Sequence, residues 1–165
     1  MVDGIGEDWL VALEWSEVAD RLDGSDDPGM LLDIIVLETD QTDWQGVLDV
    51  IRRRGDWRPR YSEDGDVLPL PADVAVPFAR CQTASVIVEL QLLAMYVRGY
   101  FWGTDEIEFD VDPGQINSPQ RFAALTDLMT EFGRATGKPV HVTPESLHDT
   151  PLLTYDPASD DVVAP

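Results

Sequence analysis

Between residues 106 and 112 carboxylates alternate with apolar side chains: Glu106, Glu108, Asp110 and Asp112 are separated by Ile107, Phe109 and Val111. Successive side chains of an extended strand point to opposite faces, so the four carboxylates share one face at a spacing of about 7 Å. Oxygen donors so spaced could help to hold Ca²⁺ or Mg²⁺. Metal sites draw ligands from several elements, however, and the glycine and distal glutamate of a calcium-binding helix–loop–helix are absent here. The row therefore reads first as a solvated sheet face. As a functional element, Glu106, Glu108 and Asp110 would dock a basic partner, and neither a metal nor a cofactor is expected.

A second alternating row, Tyr96, Arg98, Tyr100 and Trp102, is set among Met95, Val97 and Phe101. Tyr, Trp and Arg bury rigid area while keeping a polar handle, which concentrates them at the energetic centres of interfaces. With Met95, Val97 and Phe101 facing the core, this row lies on the opposite side of the sheet, beside the carboxylates of the neighbouring strand. Either it is a binding surface, or a second layer containing Trp9 and Trp15 covers it. The candidate binding residues are thus Tyr96, Arg98, Tyr100, Trp102, Glu106, Glu108 and Asp110, and no catalytic residue is assigned.

Other signatures of chemistry are absent or weak. Neither G-x-G-x-x-G nor G-x-x-x-x-G-K occurs, and there is no G-x-S-x-G nucleophile turn. The lone Cys81 has no base near it in sequence, cannot form an intrachain disulfide and excludes a multi-cysteine zinc site. His141 falls in an expected strand, where a packed ring hydrogen-bonded to backbone is the common outcome; His148 falls in a proline-flanked loop and is expected to be exposed. Arg52 to Arg54, the one basic cluster of the sequence, reads as a charged last helical turn rather than an anion site.

The elements that must position these residues are marked with unequal strength. Trp9 to Trp15 suggests a short strand, followed by a helix capped at Ser16 and stopped at Asp23 and Gly24. Met30 to Leu37, apolar except for Asp33, is the length of a buried strand. Thr42 and Gln45 have the spacing of a capping box for a helix that buries Trp44, Val47, Leu48 and Ile51 and stops at Gly55. Asp64 and Gly65 tolerate the positive φ angles of a tight hairpin between Trp57–Ser62 and Val67–Leu70. Pro69, Pro71 and Pro77 make the next stretch an irregular crossing. Period-two patterns over Val86–Leu92, Met95–Trp102 and Glu106–Asp112 predict an antiparallel meander. Ser118 and Pro119 open a helix with the stripe Phe122, Leu125, Met129 and Phe132, ended by Gly137. A strand at Val140–Thr143 and an edge strand within Thr150–Tyr155 complete the pattern. Residues 1–155 thus form a single α+β domain, and 156–165 a flexible acidic tail.

Two main amphipathic helices on one face of a mostly antiparallel sheet define an α+β two-layer sandwich, loosely similar to a ferredoxin-like plan with inserted strands. The net charge of −21 together with 44% apolar residues describes a folded acidic protein. Nucleic acid and anionic membranes select clustered Lys and Arg, so neither is an expected partner. No apolar run approaches the roughly 20 residues of a bilayer span, and the N-terminus lacks the basic and apolar regions of a secretion signal, so the expected compartment is the cytoplasm. Codon composition or adaptation to salt would produce the same acidity without a partner. The functional expectation is a non-enzymatic domain, such as an immunity or inhibitor protein, docking on a basic protein through a sheet face. The alternatives are a small-ligand or enzyme pocket on the same face, with Arg98 and His141 as its polar groups, and a homodimerisation module.

Overall fold

The computed structural model describes residues 13–24 and 26–165. Among these residues nine strands form one sheet: β1 Leu32–Leu37, β2 Arg60–Glu63, β3 Asp66–Leu68, β4 Val86–Leu92, β5 Met95–Tyr100, β6 Glu106–Val111, β7 Val140–Pro144, β8 Leu153–Asp156 and β9 Asp161–Val163. Their order is β3-β2-β4-β5-β6-β1-β7-β8-β9, and the pairings are antiparallel. The helices of the described residues, α1 Trp15–Leu22, α2 Gln41–Arg53, α3 Ala75–Arg80 and α4 Pro119–Thr136, pack on the sheet as an α+β sandwich. Among the described residues no helix is long and apolar enough to cross a membrane.

Side-chain alternation explains the layering. The meander residues Val88, Leu90, Val97, Ile107 and Phe109 turn inward with Ile34 and Val36 of β1, and meet Trp44, Leu48 and Ile51 of α2 and Phe122, Leu125, Met129 and Phe132 of α4. Gly99 belongs to this inner row and pairs with Phe109 across β5 and β6. A methyl group there would overlap the Phe109 ring, so glycine is what lets the ring lie flat over the strand. Because β6 and β7 both run antiparallel to β1, they are parallel to each other, and α4 joins them as a split β-α-β unit. The ferredoxin-like comparison goes no further, since α2 leads from β1 to β2, on the far side of β4, β5 and β6.

Several local expectations are corrected by longer-range contacts. The expected strand at Trp9–Trp15 lies outside the described residues up to 12; Trp15 itself opens α1, which is capped by Glu14 with Glu17 rather than by Ser16. Asp40 and Asp43 form the capping box of α2, two residues ahead of the Thr42 pattern. Gly55 does not end α2 with a left-handed residue: it starts a short 3-10 turn, and Arg58, at φ 45°, makes the reversal. The proline-rich crossing contains α3, whose Phe78 packs edge-on against Trp44 at 5.6 Å. Residues 156–165 are not a loose tail, because Asp161–Val163 pairs with β8, Val162 is buried, and Arg21 Nη1 donates to the Pro165 carbonyl at 2.7 Å. Expectations that rest on a single cap or turn fare better: Asp64 and Gly65, at φ 50° and 86°, close the β2–β3 hairpin, and Gly137 at φ 68° ends α4. The arginines after α2 act as a charged last turn, with Arg54 bound to Asp56 and Asp127 and stacked on Trp57.

Candidate functional site

The face of the sheet turned away from the core carries the second set of every alternating pattern. On β5 it holds Tyr96 and Arg98, both exposed, and Tyr100. Trp102, just past the strand end, is 70% exposed and stacks on Tyr100 with ring centroids 4.9 Å apart. No second layer with Trp15 covers this row, for Trp15 packs on Phe122 on the helical side; Trp9 lies outside the described residues. Arg98 Nε donates to Glu89 Oε2 of β4 at 3.0 Å and stands opposite Asp110 in the register of β5 with β6. Beside it lies a concavity of about 220 Å³ lined by Tyr96, Arg98, Asp110 and Gln115. All seven sequence-derived candidates, Tyr96, Arg98, Tyr100, Trp102, Glu106, Glu108 and Asp110, lie on or beside β5 and β6.

The acidic row continues onto β1, where the apolar run is broken by Asp33. Asp33 stands opposite both Asp110 and Thr143, and it is 3% exposed. A buried carboxylate needs partners. They come from the loop between β7 and β8: Ser146, held at φ 62°, donates its backbone N–H to Asp33 Oδ2 at 3.0 Å, and His148 Nε2 meets the same oxygen at 3.0 Å. His148 is therefore not simply an exposed loop residue; it folds back over the sheet. Asp33, Glu108 and His148 bring one donor atom each within 4.8 Å of one another. Sequence reasoning missed this cluster, although a lone aspartate inside an apolar strand was its visible signal. His141, on the same face, bonds the Thr154 hydroxyl through Nδ1 at 2.9 Å instead of backbone, and burial pushes its imidazole pKa down.

Desolvation and the neighbouring Asp33, with smaller contributions from Glu106 and Asp110, push the Glu108 carboxyl up to about 7, against the opposing pull of His148. Burial likewise raises Asp110, although a hydrogen bond from Tyr100 works against it, and raises the Tyr100 hydroxyl to about 12. A carboxyl that titrates near neutrality can take up and release a proton at physiological pH. A folded-state pKa above the unfolded one means that Glu108 contributes stability in full below its ordinary 4.5 and loses it as pH rises through about 7. In chelator-treated protein the Glu108 carboxyl carbon should titrate near 7 by NMR, and Glu108→Gln should stabilise the fold at pH 8 by roughly 1 kcal/mol once solvent screening is included. A midpoint below about 5, close to an unperturbed glutamate, would contradict the assigned burial.

Compared with known proteins, the chain matches no family model, no curated protein and no solved structure. The reading of the site thus rests on its chemistry.

Proposed function

We propose that this chain is a non-enzymatic acidic docking domain, acting in the cytoplasm as an immunity or inhibitor protein does, which takes a basic segment of a protein partner on the open face of its sheet. The observation that carries this reading is the exposed Trp102 stacked on the half-buried Tyr100, flanked by Arg98 and by the carboxyl groups of Glu106, Glu108 and Asp110. A rigid aromatic pair supplies contact area at low entropic cost, and surrounding carboxylates select a cationic partner and speed its approach. The chain's net charge of −21 adds to that steering.

Two competing occupants fit less well. Small-molecule sites usually enclose roughly 300 Å³ or more, whereas the concavity at Arg98 measures about 220 Å³. A twofold dimer through this face would set acidic rows near each other, which like-charge repulsion disfavours.

The test uses a partner retained from a lysate at low salt and released at high salt. Replacing Glu106, Glu108 and Asp110 together by Gln, Gln and Asn should slow association with it about tenfold and flatten the salt dependence. Trp102→Ala should speed dissociation by a factor of about ten or more. Association kinetics that ignore both changes would overturn the reading, as would sedimentation showing a dimer that the same substitutions dissolve.

A further inference from the structure

We propose that Asp33, Glu108 and His148 form a binding site for one divalent first-row transition-metal ion, of the Zn²⁺ or Mn²⁺ type. The three donors come from three separate elements, β1, β6 and the β7–β8 loop, which is how metal sites are built and how a merely solvated acidic strand is not. Their donor atoms lie within 4.8 Å of one another. Ligands bound to a tetrahedral ion at about 2.1 Å are separated by roughly 3.4 Å, so small side-chain adjustments would close the site. One imidazole with two carboxylates is a mixed nitrogen and oxygen set, suited to transition ions more than to Ca²⁺ or Mg²⁺, which favour oxygen alone.

A second observation points to a ligand at the same place. Thr143 is fully buried, and its hydroxyl oxygen has no hydrogen-bond partner among the described residues. It stands directly opposite Asp33 in the β1–β7 register, on the face that carries the cluster. A buried hydroxyl left unpaired is unfavourable, and a water on the ion would give it a partner. Three protein ligands leave at least one coordination position for such a water. His148 Nε2 already points at Asp33 Oδ2, 3.0 Å away, so the imidazole nitrogen faces the position that the ion would take.

Glu108 belongs to both this site and the docking surface, but metal binding is measured on the isolated chain, so failure of one reading is distinguishable from failure of the other. Chelator-treated protein is titrated calorimetrically with ZnCl₂, and separately with MnCl₂, at physiological salt. One ion per chain should bind. His148→Gln and Glu108→Gln should each weaken binding about tenfold or more, and Thr143→Val should weaken it by up to about tenfold. Asp112→Asn, an acidic change outside the cluster, should leave it unchanged. Asp33→Asn risks the fold and His148→Gln removes a partner of Asp33, so the decisive variant is Glu108→Gln, which leaves the hydrogen bonds to Asp33 in place. Several weakly held ions per chain, or an affinity that Glu108→Gln does not move, would mean diffuse attraction to an acidic surface and would overturn the proposal. So would the absence of binding.

Discussion

Replacing Trp44 by Ala should destabilise the protein by about 3–5 kcal/mol, the range for truncating a large buried aromatic. Trp44 is 1% exposed, and its ring lies 4.9 Å from Phe101, 5.6 Å from Phe78 and 6.2 Å from Phe109. It also holds the entrance to β6, because Nε1 donates to the carbonyls of Gly103 at 3.1 Å and Glu106 at 2.9 Å. Trp44→Phe separates the two roles: it keeps most of the apolar contact but leaves both carbonyls without that donor, at a cost of about 1–3 kcal/mol. Urea unfolding of the three proteins measures both steps. A loss under about 1 kcal/mol for Trp44→Ala would mean that the site collapses around the missing ring. Since Trp102 and Glu106 flank this entrance, Trp44→Phe should also broaden the NMR signals of the Trp102 indole.

Phe132→Ala should cost a comparable amount, about 3–5 kcal/mol, while its neighbour Glu131→Ala should cost under about 1. Phe132 is buried where α4 crosses the sheet, 5.1 Å from the Phe109 ring and 6.1 Å from Trp57. Glu131 faces the other way and reaches Arg53 at 3.5 Å and Arg134 at 4.0 Å, both of them exposed arginines. Exposed ion pairs of this length contribute little because water screens them. Equal losses from the two substitutions would show that the inner stripe of α4 has been assigned to the wrong side.

Much of this architecture was legible because it is encoded locally. Alternation over Val86–Leu92, Met95–Tyr100 and Glu106–Val111 specified the meander and which side chains turn outward, since a strand's two faces are set by parity alone. Ser118, Pro119 and Gly137 bounded α4 through hydrogen bonds and φ angles that involve only neighbouring residues. Where two caps competed at similar spacing, as Asp40 with Asp43 against Thr42 with Gln45, sequence could not rank them, because the choice follows from where β1 delivers the chain. Gly55 failed as a stop for a comparable reason: the turn continues so that Trp57 can enter the core.

The sequence by itself determined the α+β class, the inward and outward sets of the central strands, and therefore the Tyr96, Arg98 and Tyr100 row beside Glu106, Glu108 and Asp110. Only the tertiary structure decided that β1 is inserted between β6 and β7, that β9 adds to the sheet edge, and that His148 reaches Asp33 from 115 residues away. The physical reason is one of range. Parity and capping act over one to four residues, whereas strand order is settled by which apolar faces bury best together, and no periodicity records that choice. A single aspartate in an apolar strand marked the place where a partner would be needed, and the fold alone supplied it.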